Sequence, residues 1–289
     1  MHQHGAGRSE PVRKVPLDPE IHSLPSGRIL YHLQGLPAAK KTHCPATMNS
    51  PSADAIRITP VSGNRQLGEF ITAPGAIYRD DPNWVAPLRF EQKQRLTEKN
   101  PFFEHARWQA WTARRNGTII GRISAQIDDL YKEQHGEAVG YFGMLEADDD
   151  PALFARLLAT AENWLREQGI GTIRGPFNLS INEECGLLVE GFDTPPFIMM
   201  GHARPWYGPH VESAGYRKAT DLLAYEVNPD FEAPRIMNRL LDRGTRDVEV
   251  RCLRRKQLKQ ELEILRDIFN DAWHNNWGFV PFTVAEFAD

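Results

Sequence analysis

The sequence predicts an α/β (α+β) protein in which strands and helices alternate along the chain. Two local signals carry this prediction. Residues 106–127 alternate in polarity around Asn116-Gly117, the pair typical of a type I′ turn, and therefore predict an antiparallel hairpin. Further on, Asp150-Pro151 begins an apolar stripe that ends at Gly169, which predicts a long amphipathic helix with a capped start.

Composition excludes several classes of protein. The chain has 289 residues, of which 41% are hydrophobic and 25% charged, and a net charge of −4, so nothing favours a nucleic acid or an anionic membrane as partner. It has neither an apolar run of membrane-span length nor the apolar core of a secretory signal. Its cysteines, Cys44, Cys185 and Cys252, form no CxxC pair. We therefore expect a cytoplasmic protein without a metal site.

Residues 1–47 differ from the rest of the chain. They hold five of the ten histidines and several prolines, without the fixed spacing of a tetrahedral metal site. Because Met48 precedes a segment of ordinary domain composition, we expect residues 1–47 to be a disordered or untranslated extension. The intact mass of the native protein tests this expectation.

The predicted elements between these landmarks follow in order. In the first half they are a strand at 55–61, a helix from Asn64 toward Pro74, a loop at 80–87 around Trp84, a helix at 88–96 and a break at 100–103. After the hairpin come a strand at 140–145, the long helix, a strand at 170–174, a helix at 206–214 and a strand at 221–227.

The remaining residues repeat the start of this order. A helix at 233–242, a strand at 248–253 and a helix at 258–273 lead to Trp277, and 28 residues separate Glu249 from Trp277 as they separate Ile56 from Trp84. We predict a domain at 54–228, a linker at 229–245 and the beginning of a second, incomplete unit at 246–289.

Residues 175–196 have the most unusual composition of any stretch of the chain, because they combine residues that constrain or free the backbone with several charged side chains. Glycines and prolines alternate there with four carboxylates, Glu183, Glu184, Glu190 and Asp193. A plain surface loop needs few such residues, so we expect this stretch to hold polar groups in a cleft. Cys185 has no basic neighbour in the sequence and is interpreted as a small buried residue rather than a nucleophile.

This order of elements resembles the GCN5-related N-acetyltransferase (GNAT) fold. Residues 206–218 resemble its last helix and strand, and residues 84–89, 100–103, 121–123 and 175–196 resemble uncharacterised bacterial proteins with two tandem GNAT domains. The resemblance covers about residues 54–228 and, in part, 246–289. It implies a mixed, mostly antiparallel sheet flanked by helices.

The resemblance also implies a chemistry. In GNAT enzymes a central strand splays from its neighbour and acyl-CoA lies in the gap, so acetyl-CoA is the implied acyl donor. The implied donor-binding residues here are Met144, Leu145, Glu146 and Asp149. The family's Q/R-x-x-G-x-G/A loop corresponds to residues 146–151, which contain no glycine, and we interpret Asp148, Asp149 and Asp150 as a helix cap.

Two adjacent carboxylates and one tyrosine are the candidate catalytic groups. Glu183 or Glu184 is the candidate base, with bracing of the glycine turns as the alternative role. Tyr207, one helical turn before the family's acid position at Val211, is the candidate acid, with a half-buried aromatic as the alternative role. Asn182, Asp193 and Trp84 are the candidate substrate contacts, and holding a turn is the alternative role of Asn182.

Three functions remain open from the sequence. The first is N-acetyl transfer to a small-molecule or amino-acid-like amine. A homo-oligomer is compatible with this function. The second is a GNAT-like protein that binds a ligand or partner without catalysis. The third is a Mg-dependent nucleotide pyrophosphohydrolase that uses Glu183, Glu184, Glu190 and Asp193.

Overall fold

The computed structural model describes residues 28–35, 55–224, 234–244 and 251–288, which form one eight-stranded sheet with flanking helices. The strands are β1 Arg28–Gly35, β2 Arg57–Pro60, β3 Ala106–Arg115, β4 Thr118–Asp128, β5 Val139–Ala147, β6 Thr172–Gly175, β7 Leu187–Glu190 and β8 Tyr216–Ala224. The α-helices are α1 Gly63–Thr72, α2 Pro74–Ile77, α3 Arg89–Arg95, α4 Asp129–His135, α5 Pro151–Glu167, α6 Tyr207–Ser213, α7 Arg235–Gly244, α8 Leu258–Trp273 and α9 Val284–Ala288.

The sheet is mixed and mostly antiparallel. Its order is β2-β3-β4-β5-β6-β1-β7, with β8 paired to β1. Among the described strands, β5 and β6 form a parallel pair, and the other neighbours are antiparallel. The predicted architecture of an antiparallel-rich sheet flanked by helices is therefore confirmed.

The β3–β4 hairpin forms where the sequence predicts it. Asn116 and Gly117 both have positive φ, 52° and 82°, and Arg115 pairs with Thr118 across the turn. Positive φ at both central residues defines a type I′ turn, whose twist matches that of the flanking strands. The Asn-Gly pair thus fixes the register of the two longest strands.

The long helix α5 has the predicted cap. Asp150 Oδ1 accepts hydrogen bonds from the backbone N–H groups of Ala152 (2.9 Å) and Leu153 (3.3 Å). Past the last turn, Gly169 has a φ of 80°, as expected of a C′ residue. The apolar face of α5 is buried against the sheet through Leu153, Phe154, Leu157, Leu158, Ala161 and Leu165.

Strand β1 corrects one boundary of the predicted domain. Residues 28–35 belong to the segment that we expected to be an extension, yet their backbone pairs with β6, β7 and β8. The boundary at residue 47 therefore does not hold for these eight residues. The partners lie more than 130 residues away, so no local pattern marks the pairing. The rest of the predicted extension lies outside the described residues.

The C-terminal residues follow the helix predictions but not the strand prediction. Helix α8 has the predicted bounds, whereas residues 251–253 are not a strand and residues 248–250 lie outside the described part. A short alternating run forms a strand only beside a partner strand. After residues 251–253, Arg255–Gln257 forms a 3-10 helix that leads into α8. The division into two units remains a prediction.

A charged cluster joins the C-terminal helix to the sheet. His105 Nδ1 lies 3.0 Å from Asp128 Oδ1, and His105 Nε2 lies 3.2 Å from Glu286 Oε1. Burial by itself lowers the pKa of His105, but the hydrogen bonds and charges of the two carboxylates raise it to about 10. The imidazolium form therefore holds α9 against the end of β4. Across the described residues, no helix combines the length and apolarity that crossing a bilayer demands.

Candidate functional site

The cavity lies where two parallel strands part. The ladder between β5 and β6 covers Val139, Gly140 and Tyr141 of β5, and β1 pairs with the other edge of β6. The backbones stay in contact as far as the hydrogen bond from the Phe177 N–H to the Phe142 carbonyl at 2.8 Å, and a cavity of about 600 Å³ opens beyond it. Its wall includes Met144, Leu145 and Glu146 on one side and Pro176, Asn178 and residues 183–187 on the other. The expected opening beside the glycine-and-carboxylate stretch is therefore present.

Strand β5 bulges at the cavity. Gly143 pairs with Ser124 and Glu146 pairs with Arg122, so Met144 and Leu145 together stand opposite a single residue of β4. Met144 has a φ of 45°, in the left-handed region that residues with a side chain seldom adopt. A bulge of this kind re-aims backbone groups beside functional sites. Both bulge residues line the cavity.

Asn178 ties the bulge to the opposite wall. Its Oδ1 accepts a hydrogen bond from the Met144 N–H at 2.7 Å, and its Nδ2 donates to Glu184 Oε2 at 2.9 Å. The close approach also requires glycine at position 143, because a Cβ there would lie 1.8 Å from the Phe177 carbonyl oxygen. These contacts hold the β5 bulge close to the segment after β6 at the edge of the cavity.

Glu183 is a largely buried carboxylate on the cavity wall. Its side chain is 25% exposed and forms an ion pair with Arg95, whose guanidinium also donates to the Asn178 carbonyl at 2.5 Å. Burial raises the pKa of Glu183 above its ordinary value, although the charge and hydrogen bond of Arg95 oppose this shift. A carboxylate with a raised pKa is a stronger base than a solvated one.

A second ion pair supports the floor of the cavity. Arg122 Nε lies 2.5 Å from Glu146 Oε2, and Arg122 Nη2 lies 3.1 Å from Glu146 Oε1. The same guanidinium donates to the Phe70 carbonyl at 2.8 Å. Because Arg122 is buried and paired at two oxygens, it fixes β4, β5 and α1 relative to one another.

His202, on another part of the cavity wall, is paired with Asp81. His202 Nε2 lies 2.9 Å from Asp81 Oδ2, and Arg204 approaches the same oxygen at 3.4 Å. Burial raises the pKa of Asp81, but the His202 hydrogen bond and the other partners outweigh it and lower the pKa overall. Tyr78 and Trp84, stacked at 5.4 Å, line the cavity beside His202. This pair places a titratable imidazole at the site.

Tyr207, the predicted acid, is fully buried beneath the site. Its hydroxyl oxygen accepts a hydrogen bond from the Ala147 N–H at 2.9 Å, and its ring packs edge-on against Phe154. Burial raises its pKa above the ordinary value of tyrosine. Tyr207 is not among the residues of the cavity wall.

The structure gathers part of the predicted site. Met144, Leu145, Glu146, Glu183, Glu184 and Trp84 line the cavity. The other four, Tyr207, Asn182, Asp149 and Asp193, do not line it. Asn182 donates to the Val280 carbonyl at 2.9 Å, Asp149 lies 2.6 Å from His210 Nε2, and Asp193 is outside the wall.

The sequence analysis assigned no role at the site to Arg95, Arg122 or Asn178, which all line the cavity. Asn178 stands three residues after Gly175 in the stretch that we singled out, so that stretch held the signal. Cys185 also lines the cavity, and burial raises its pKa to about 12, which fits a buried residue rather than a nucleophile. In the described ranges, no three His, Cys, Asp or Glu side chains form a group that can hold a metal ion.

Curated relatives match most of this chain. No family model matches. Protein YghO of Escherichia coli is 50% identical over 223 residues, which is 77% of this chain and 57% of that protein. A bacterial ceramide synthase of Caulobacter vibrioides is 48% identical over 241 residues, which is 82% of this chain and 62% of that protein. The chain therefore spans less than two thirds of the length of the curated relatives it matches.

Solved structures match more remotely. An aminoglycoside acetyltransferase from an uncultured soil metagenomic sample is 15% identical with a TM-score of 0.31, over 40% of this chain and 72% of that chain. A ribosomal-protein-alanine N-acetyltransferase from Brucella melitensis is 11% identical with a TM-score of 0.30, over 55% of this chain and 88% of that chain.

Proposed function

We propose that the cavity between β5 and β6 is the site of an N-acyltransferase that moves an acyl group from acyl-CoA to the amine of a long-chain amino alcohol. The observation that carries the proposal is the opening itself, with a backbone bulge on one wall and the buried Glu183 on the other. This is the gap in which the GNAT resemblance expects acyl-CoA. The predicted donor contacts Met144, Leu145 and Glu146 all reach it.

The class of acceptor comes from a relative. A ceramide is an amide between a long-chain amino alcohol and a fatty acid, and the Caulobacter relative bears the name ceramide synthase. We extend amide formation on such an amine to this chain as part of the proposal. The smaller amines suggested by the sequence remain alternatives for the assay.

In the proposed reaction, two groups of the chain act on the amine and on the thioester carbonyl. The amine nitrogen attacks the thioester carbon, a C–N bond forms, and the C–S bond breaks to release the CoA thiolate. Glu183 takes the proton that the amine loses. The Leu145 backbone N–H is the candidate donor to the oxyanion, since Asn178 already engages the Met144 N–H.

His202 is the proposed acid for the departing thiolate, in place of Tyr207. It lies on the cavity wall, and its bond to Asp81 orients the ring. Tyr207 is buried with its hydroxyl engaged by Ala147. A wall position is required of a group that gives its proton to substrate.

The diphosphate of the donor lacks the usual cradle. Asp150 already occupies the N–H groups of Ala152 and Leu153, and Asp149 is paired with His210. These carboxylates repel a diphosphate at the start of α5. We therefore propose that the donor is held mainly by its thioester and acyl arm.

The direct assay supplies a long-chain acyl-CoA and a long-chain amino alcohol and follows amide product by mass spectrometry together with free thiol. The proposal expects equal amounts of amide and thiol, and product only when both substrates are present. Thiol without amide would show hydrolysis and contradict acyl transfer to an amine.

The carboxylates at the start of α5 favour a second candidate, a protein that binds its ligand without catalysis. Calorimetry with acetyl-CoA, and separately with a long-chain acyl-CoA, distinguishes the two. Binding of neither donor to folded chain removes the enzyme proposal.

A further inference from the structure

The mouth of the cavity is surrounded by exposed apolar side chains. We call the six of them the apolar rim: Val85 (58% exposed), Leu88 (59%), Phe90 (70%), Phe197 (71%), Ile198 (93%) and Met199 (55%). All except Phe90 also line the cavity. Large apolar side chains that are exposed together in this way mark an interaction surface rather than ordinary surface composition.

Two separate segments build the apolar rim. Residues 85–90 comprise the loop before α3 and the first two residues of that helix, and residues 197–199 form a turn closed by a hydrogen bond from the Met200 N–H to the Phe197 carbonyl at 3.1 Å. Met200 also bridges to Cys185 on the cavity wall. Met199 adopts a φ of 62°, which costs free energy in a residue with a side chain. The turn is thus anchored while its apolar side chains point outward.

Basic side chains accompany the apolar ones. Arg89 and Lys93 are both exposed, and their spacing of four residues places them on one face of α3, while the exposed Glu91 between them lines the cavity. Apolar side chains beside exposed cations match the chemistry of a bilayer surface, where hydrocarbon lies beneath lipid phosphates.

We propose that the apolar rim rests on a lipid bilayer surface, so that the amine-bearing lipid enters the cavity from the membrane. The inference depends on the proposed function for the identity of the lipid, and on the rim's continuity with the cavity for its place. The net charge of −4 predicted no membrane partner, but it averages over the whole surface and does not describe this one patch.

Vesicle flotation without any acyl donor tests the inference. The chain is mixed with vesicles of phosphatidylcholine, with and without phosphatidylglycerol. We expect binding to both, tighter with the anionic lipid, and a loss of roughly tenfold or more in the double variant Phe90→Ser with Ile198→Ser. The matched control is Ile236→Ser with Ile268→Ser, which removes two side chains that are 70% and 60% exposed on α7 and α8.

Each outcome decides the inference. Loss of binding in the rim variant alone, with its thermal unfolding unchanged, supports it. No binding by the unaltered chain, or equal loss in both variants, overturns it. A rim variant that binds vesicles normally but changes the oligomeric state in sedimentation shows an interface between copies and also overturns it. Because no donor is present, failure of acyl transfer leaves this result untouched.

Discussion

The side-chain oxygen of Asn178 accepts a hydrogen bond from the backbone N–H of Met144 at 2.7 Å, across the opening between the strands. The same amide donates to Glu184 at 2.9 Å. One side chain therefore fixes the bulge of β5 relative to the carboxylate stretch. Since Asn178 contacts both walls of the proposed site, we expect its loss to change the position of the walls and not to remove a reacting group.

Replacing Asn178 by alanine tests this link. Asn178→Ala leaves the Met144 N–H without its acceptor, so we expect a loss of about 1–3 kcal/mol in the free energy of unfolding and at least tenfold in kcat. Asn178→Asp keeps the acceptor for the Met144 N–H but replaces the donor to Glu184 with a second carboxylate, so it separates the effects of the two hydrogen bonds. Equal kcat values for unaltered chain and Asn178→Ala would show that the bulge is held by other contacts.

Removing the proposed base tests the chemistry. Glu183→Gln keeps the size of the side chain, and we expect kcat to fall by about 10²–10⁴-fold while the chain stays folded. Because burial raises the pKa of Glu183, the activity of the unaltered chain declines on acidification at a pH above that of an ordinary glutamate. Glu190→Gln, on an exposed residue of β7, is the control. A pH–rate profile whose acid limb survives in Glu183→Gln would assign that limb to another group.

The His202–Asp81 pair makes a separate prediction. His202→Gln removes the proposed acid, and we expect kcat to fall by about 10²-fold or more with little change in KM. Asp81→Asn keeps the ring but weakens its orientation, so its effect on kcat is smaller. The measurement is kcat and KM across pH for both variants. A larger effect of Asp81→Asn than of His202→Gln contradicts the assigned roles.

His105 predicts a pH dependence of stability. Its folded-state pKa of about 10 lies above the ordinary value of 6.5, so the stabilisation is fully present below pH 6.5 and is lost as pH rises through 10. At pH 6 we expect His105→Gln to cost about 3 kcal/mol, because Asp128 and Glu286 then lose their shared cation. Chemical denaturation of both proteins from pH 6 to 10 measures the difference. A constant difference across this range would refute the charged cluster.

Local patterns predicted the elements that rest on local causes. Asn116-Gly117 sets the hairpin through backbone angles, and Asp150 sets the start of α5 through its own hydrogen bonds. Part of the carboxylate stretch, including Glu183 and Glu184, lines the cavity, whereas Glu190 and Asp193 do not.

Other features depend on which faces meet after folding. Tyr207 lies one helical turn from the family's acid position, yet its hydroxyl is buried and accepts a hydrogen bond from the Ala147 N–H at the end of β5. His202 and Asp81 are 121 residues apart and become partners only through the tertiary fold. Spacing along the chain specifies a helix face, but not what that face packs against.

The structure of this chain with a long-chain acyl-CoA bound tests the central claim most directly. We predict that the thioester lies between β5 and the segment after β6, with its carbonyl oxygen about 3 Å from the Leu145 nitrogen and the acyl chain directed to the apolar rim. A donor bound elsewhere on the chain, with the opening between the strands unfilled, would contradict it.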